Sequence, residues 1–353
     1  MVSHLFAWGR DNVELWRQYS HLPSDIPIHI TGNPRADLLR PELNLLYRKE
    51  ADEILKRYGE FILINTNFNH VNAFYPFLNL FQPAKNPGEI PKIGRAAIGM
   101  TLEYAKGFQE HKKALFQDFQ QLISALDKEF PEFKIIVRPH PVEDQQIYQR
   151  IAAQCSRVHV TNQGNVVLWL QGAKALIHNG CTTGIEAYLM GVPAISYRST
   201  VNDLYDNGFY RLPNCLSYQC LNFEELCKTL VKISTGEMGL PNTPEIKQMT
   251  DDYLSAKDGP LACERIVDVL EKIIKNDAEF SRLRIGRRLQ GWFMTNRRRL
   301  RKRDKRKELR RHRYPDLTDE QIQKQILRYK QVLEITTDLK VKQIFNQVFS
   351  ISM

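Results

Sequence analysis

The chain has no cysteine pair at CxxC spacing and no paired-histidine spacing beside its six cysteines, Cys155, Cys181, Cys215, Cys220, Cys227 and Cys263. Neither a zinc site nor a disulfide framework is indicated, and no metal is expected; the pattern suits thiols in a reducing compartment. No run approaches the roughly 18 apolar residues that a membrane span requires. The amino terminus, MVSHLFAWGRDNVELW, lacks the basic region and apolar core of a secretory signal. The expectation is therefore a cytoplasmic chain. Disorder is disfavoured too, because 353 residues with 42% hydrophobic and 25% charged content hold ample material for a core and one or two domains.

What is present concentrates between Phe133 and Arg198. There FKIIVRPHPVED is followed by RVHVTNQGNVVLWLQGAKALIHNGCTTGIEAYLMGVPAISYR. Short apolar runs (Ile135 to Val137, Ala175 to Ile177, Pro193 to Ser196) read as buried strands, each followed by polar turn residues and then a helical pattern. That rhythm predicts an α/β fold with a doubly wound parallel sheet, whose ligands gather at the carboxyl ends of the strands.

Two strand ends stand out. After FKIIV, Pro139 and Pro141 fix the backbone around Arg138 and His140, presenting a cationic fork and an imidazole suited to a phosphate. After KALI, the turn of Asn179, Gly180, Cys181, Thr182, Thr183 and Gly184 runs into a helix beginning near Ile185, and small residues there let backbone approach an anion. Glu186, in the first turn, suits ribose hydroxyls. Singly, each has a plainer reading, a rigid turn or a well-capped helix start. Their occurrence at successive ends of one sheet favours the ligand reading. His178 reads equally as a satisfied buried histidine or as ligand-facing, and Asn65 and Asn67, ending the strand FILINT, as diphosphate donors or a plain Asn-rich turn. Cys181 has no His-Asp pattern around it and is not expected to be a nucleophile.

The order ITGNPRADLL, FILINTNFN, RPHP and NGCTTGIEAYLMGVPAISYR resembles the carboxyl-terminal, Rossmann-like domain of GT-B-type enzymes of bacterial surface carbohydrate biosynthesis. More distantly it is similar to capsular Kdo transferases, polysialyltransferases and the glycerophosphotransferases of teichoic acid synthesis. The resemblance covers roughly Trp8 to Lys275 and implies that His140, Pro141, Thr182 and Thr183 bind the phosphates of a CMP- or CDP-activated donor. It also places the base near Asn162 to Asn165. The Gly-Glu and Gly-x-Pro run is similar to sugar-nucleotide epimerases of the same fold, which would give Glu186 the ribose. No tightly bound cofactor is implied; the nucleotide sugar is the donor substrate.

The expected organisation is a lead-in over residues 1–30, the remnant or linker of an amino-terminal GT-B domain; a nucleotide-sugar-binding domain over 31–275; and a basic helical extension over 276–353. Helices are predicted over Pro41 to Tyr58, Thr101 to Phe130, Val166 to Leu170, Glu224 to Ser234 and Leu261 to Ile274, strands at IPIHIT, FILINT and Val158 to Val160, and an irregular flap over 69–98. A GT-B enzyme needs two Rossmann-like domains, so the expectation is either a fragment or shortened product of one, or a partner polypeptide that supplies the other half.

From Arg282 to Arg313 there are 16 Lys or Arg against Asp304 and Glu308, a balance of +14 in a chain whose total is +10. The rest is therefore slightly acidic. Ile285, Leu289, Trp292, Phe293 and Leu300 recur at helical spacing, predicting a basic amphipathic helix with Arg288, Trp292, Phe293 and Arg297 facing an anionic inner-membrane surface or a lipid-linked glycan acceptor. Nucleic acid is the rival partner and is disfavoured; a solvated covering helix is the plain alternative. Beyond it, Thr318 and Gln321 form a capping box before the apolar stripe Ile322, Ile326, Tyr329 and Leu333.

Together these readings predict a glycosyltransferase-like, donor-binding protein of lipopolysaccharide or capsule assembly, peripheral on the inner face of the cytoplasmic membrane. The alternatives are a sugar-nucleotide epimerase and a non-catalytic, membrane-docked scaffold.

Overall fold

The computed structural model describes residues 3–19, 21–84, 91–206, 210–276, 317–345 and 348–353. In chain order they form β1 (Leu5–Ala7), α1 (Arg10–Arg17), β2 (Ile28–Ile30), α2 (Pro34–Asp37), α3 (Arg48–Tyr58), β3 (Phe61–Asn65), α4 (Leu102–Glu129), β4 (Lys134–Arg138), α5 (Gln146–Ala152), β5 (Val158–Val160), α6 (Val166–Gly172), β6 (Ala175–His178) and α7 (Thr183–Leu189). Then follow β7 (Ala194–Tyr197), α8 (Asp203–Asp206), α9 (Arg211–Cys215), β8 (Tyr218–Cys220), α10 (Phe223–Ser234), α11 (Pro244–Tyr253), α12 (Ala262–Asn276), α13 (Asp319–Val332), β9 (Lys340–Phe345) and β10 (Val348–Ser352).

Six strands make one parallel sheet in the order β5-β4-β3-β6-β7-β8. The chain winds outward from β3 through β4 to β5, returns to pair β6 on the other side of β3, and winds outward again. The fold is thus a doubly wound α/β sheet whose order reverses between β3 and β6, where such sheets open their ligand crevice.

The strand FILI shows why the sheet is covered on both faces. Alternate side chains point to opposite sides, so Ile62 and Ile64 join Phe119, Leu122, Ile123 and Leu126 of α4, Tyr148 of α5 and Leu226 and Leu230 of α10. Phe61 and Leu63 meet Val167, Trp169 and Leu170 of α6 and Ala187 of α7 on the other face. The unbroken apolar run, with no polar alternation, is the signature of a strand buried on both sides.

The predicted helix over Pro41 to Tyr58 divides into a 3-10 segment, Pro41–Leu46, and α3. IPIHIT is the other departure: β2 pairs parallel with β1 in a separate two-stranded sheet and does not enter the main one. Just beyond it, buried Asp37 accepts the backbone N–H groups of Ala262 (2.8 Å) and Cys263 (2.9 Å), capping the start of α12 from 225 positions away. The described chain forms two compact units, one reaching to Cys263 and the other from Glu264. In the second, Thr318 and Gln321 make the predicted capping box on α13, and β9 and β10 form an antiparallel hairpin. The basic run from Arg282 to Arg313, with Arg288, Trp292, Phe293 and Arg297, lies outside the described residues. No described helix is long and apolar enough to cross a membrane.

Replacing the Asp37 cap takes the carboxylate acceptor from the Ala262 and Cys263 N–H groups, the first of them buried. Asp37→Ala is expected to lower the unfolding free energy in urea by about 1–3 kcal/mol; a change within about 0.5 kcal/mol, ordinary for a surface position, would contradict that role.

Candidate functional site

The carboxyl ends of β3, β4 and β6 meet at the reversal point, because Asn65 stands in register with Arg138 on one side and His178 on the other. The loops that follow are tied together by polar contacts. The Asn67 N–H donates to Asn179 Oδ1 at 3.0 Å, bridging β3 to β6 across the crevice. On the other side Glu143, wholly buried, accepts from the Phe68 N–H (2.8 Å), the His140 N–H (3.2 Å), the Thr66 hydroxyl (3.1 Å) and the Tyr148 hydroxyl (2.5 Å). Burial pushes the Glu143 carboxyl up, and these four donors oppose it. Burial also raises Tyr148 well above its ordinary range, so its hydroxyl stays protonated and donates. Glu143 went unnoticed in the sequence although it closes the same RPHPVE string, since its partners Thr66 and Phe68 lie more than 70 residues upstream.

This arrangement presents His140. Its Nδ1 accepts the Val142 N–H at 3.3 Å, so the neutral imidazole carries its proton on Nε2 and is a donor there. Pro141 beside it is exposed. Arg138 is placed differently from expectation. Its two terminal nitrogens donate to the carbonyls of Gln163 (2.8 Å) and Gly164 (2.9 Å), and its guanidinium lies over the Trp169 ring at 5.1 Å. Burial lowers its pKa to about 10. Rather than standing open as a phosphate fork, Arg138 braces the loop that carries Gln163 and Gly164.

On the β6 side, His178 belongs to the protein. Its Nδ1 accepts the N–H groups of Gly180 (3.0 Å) and Cys181 (3.3 Å), its Nε2 meets Ser217 Oγ (2.8 Å), and burial lowers its pKa to about 3. The Gly180 and Cys181 amides, expected to face an anion, turn inward to that ring. Gly184 packs against it so closely that a Cβ there would stand 2.6 Å from His178 Nε2. Burial raises the Cys181 thiol, which stays protonated, in keeping with the absence of a nucleophilic role.

Thr182 precedes α7 exposed, with no side-chain capping bond, so the well-capped-helix reading of this turn does not hold. Glu186 pairs through Oε1 with Arg35, at 2.7 and 3.0 Å, a partner that the sequence reading did not assign. Burial raises Glu186 and the Arg35 charge opposes it. Among the described residues, the buried polar atoms without a hydrogen-bond partner include Asn65 Oδ1, Asn179 Nδ2, Thr183 Oγ1 and Glu186 Oε2 around the reversal point. Buried polar atoms are ordinarily bonded, so their gathering at one crevice makes it the candidate site for a polar ligand. Among the described residues no group of three or more His, Cys, Asp or Glu could hold a metal ion.

No family model and no curated protein matches the sequence. Among solved structures, the chain is similar to the wall teichoic acid polymerase TagF, at 17% identity and a TM-score of 0.43 over 78% of this chain and 59% of that one. It is also similar to UDP-GlcNAc 2-epimerase from Neisseria meningitidis, at 16% identity and a TM-score of 0.42 over 76% of this chain and 62% of that one. The Methanocaldococcus jannaschii UDP-GlcNAc 2-epimerase gives 14% identity and a TM-score of 0.42 over 76% and 61%. The chain spans less than two thirds of the length of each.

Behind Gly180 lies a second polar cluster. Lys112 of α4, buried, sits with its ammonium 3.9 Å from the Tyr210 ring centre and 5.6 Å from that of Phe108. Asp206 bonds His111 Nε2 (2.9 Å) and the Asn202 N–H (2.9 Å) and pairs with Arg198 (3.2 Å). Burial pulls Asp206 upward, but these partners outweigh it and hold it below the usual carboxylate range.

In a glutamine at position 143 the amide oxygen can keep the Phe68 and His140 N–H groups, but its NH2 then faces the Thr66 and Tyr148 hydroxyls, which must turn from donating to accepting, and the charge that strengthens all four bonds is lost. Glu143→Gln is expected to cost about 1–3 kcal/mol of stability in urea unfolding, and an unchanged midpoint would show that the carboxylate does not hold the two loops.

Proposed function

We propose that this protein is a glycosyltransferase-like, nucleotide-sugar-binding protein of surface carbohydrate assembly, its donor lying across the β3/β6 crevice. The observation that carries the reading is the set of orphaned polar atoms at the reversal point, Asn65 Oδ1, Asn179 Nδ2, Thr183 Oγ1 and Glu186 Oε2, on the segments that bear the sequence resemblance. His140 Nε2–H, Thr182 and Thr183 would meet the phosphates. Glu186, with one oxygen on Arg35, would offer the other to the ribose, and the 161–165 loop braced by Arg138 would receive the base. If a sugar is transferred, donors on the phosphates oppose the charge that develops on the departing nucleotide, which lowers the barrier. Arg138 and His178 are positioning residues in this account.

The basic run from Arg282 to Arg313 supports a second part of the proposal, attachment to an anionic membrane surface on which a lipid-linked acceptor would be presented; each basic residue near the headgroups contributes on the order of 1 kcal/mol.

Calorimetric titration with CMP, CDP, UDP and GDP tests the site. Selective binding is expected, weakened about tenfold or more, or about 1.4 kcal/mol, in His140→Ala and Thr182→Ala. Glu186→Ala should weaken the nucleotide and leave inorganic pyrophosphate unaffected. Failure of all four nucleotides to bind, or variants that bind as the parent does, would overturn the assignment.

A further inference from the structure

Lys112 is 1% exposed, and among the described residues its ammonium makes no hydrogen bond and no ion pair. The carboxylate whose charge reaches it, Asp206, is already engaged by His111, Arg198 and the Asn202 N–H. Lys112, Arg198 and Asp206 together carry a net positive charge, with the face of Tyr210 as the ammonium's nearest compensation. A buried charge without an ion partner is costly, and replacing it by an apolar side chain of similar volume often stabilises a protein. Lys112 is therefore poorly explained as a stabilising residue.

Its position suggests what it does. The Tyr210 ring beneath the ammonium closes over Gly180, whose φ of +84° and whose absent Cβ, which would stand 2.9 Å from Tyr210 Cδ1, bring ring and β6 turn into contact. His70, beyond the end of β3, packs on Phe108 at 5.2 Å; burial depresses its basicity, and Lys112 and His140 lie close enough to add to the shift. Lys112 thus lies behind the Tyr210 ring that packs on the Gly180 turn, with His70 within reach of its charge, although it comes from the middle of a helix that covers one face of the sheet.

We infer that Lys112 is a further ligand-binding residue of this crevice, supplying the charge that meets the terminal phosphate of a nucleoside diphosphate and so favouring diphosphates over monophosphates. This rests on the nucleotide reading above and deepens it. A phosphate oxygen would give the ammonium the hydrogen bond and counter-charge that the protein does not provide.

The test is calorimetry of the full chain and of Lys112→Met with CMP, CDP and inorganic pyrophosphate, beside thermal melts without ligand. The parent is expected to bind CDP about tenfold or more tightly than CMP. In Lys112→Met that preference should disappear while the ligand-free melting temperature at neutral pH stays level or rises. A variant that keeps the preference overturns the inference and leaves the nucleotide site standing. Pyrophosphate bound by the parent and lost in the variant, with no nucleotide bound, would keep Lys112 as an anion ligand and sink the nucleotide reading; no binding of any of the three overturns both.

A measurement on the parent alone covers a variant that does not fold. Burial lowers Lys112 to about 8, with Asp206 opposing and Arg198 adding to the shift, so an arriving phosphate should raise it. The other titratable or charged groups about it are Asp206 and Arg198, Tyr210, raised by burial, and His70, lowered by burial to about 4; beyond these, His111 bonds Asp206, His140 lies beside His70, and Cys181, raised by burial, lies beside Tyr210. At about pH 8.5, CDP binding should take up protons, read from the buffer dependence of the binding heat. Absence of uptake would overturn the inference.

Discussion

A buried carboxylate ties the loops after β3 and β4 together on one side of the crevice. Glu143 draws the Thr66 hydroxyl, the Phe68 and His140 amides and the Tyr148 hydroxyl onto one point. A carboxylate out of water is tolerated when every lone pair is met by a donor, and that requirement sets the path of both loops. The loop after β3 must bring Phe68 N–H to it, the loop after β4 must fold back within three residues of His140, and α5 must pack so that Tyr148 reaches in. Remove the carboxylate and His140 has no reason to stand where it does.

The rest of the site follows from sheet order. Because winding reverses between β3 and β6, no helix crossover lies between those two strand ends, and Asn67 and Asn179 can bond across them. The elements around the crevice divide the work. Arg138 and His178 hold backbone, one the 161–165 loop and the other the Gly180 turn, while beyond them Asn179 Nδ2 and Thr183 Oγ1 have no hydrogen-bond partner among the described residues. Charged groups beside strand ends are thus of two kinds, and only their partners tell them apart.

Much of this was legible in the sequence and some was not, for physical reasons. FILIN, KIIVR, ALIH and AISY announced themselves as strands because burial on both faces demands continuous apolar runs. The capping box at Thr318 was legible because all its contacts are local. The three-residue strand Tyr218–Cys220 was not, since neighbour pairing rather than its own pattern makes it a strand. Likewise β2 had the composition of a sheet strand, but composition does not say which sheet. Arg138 was read as a phosphate fork because an arginine after a strand looks the same whether its guanidinium meets a ligand or the carbonyls of Gln163 and Gly164. Glu143, Arg35 and Lys112 were invisible for a shared reason: each has a defining partner 75 or more positions away.

The central claim is that a nucleotide binds where the strand order reverses. Hydrogen–deuterium exchange of the full chain, with and without saturating CDP, measures that directly, because a ligand slows exchange of the amides it orders or covers. The account predicts protection confined to the peptides around Asn65–Phe68, His140–Glu143, Thr161–Asn165 and Asn179–Glu186. Protection that instead falls elsewhere, or none at a concentration where binding heat is seen, would contradict it.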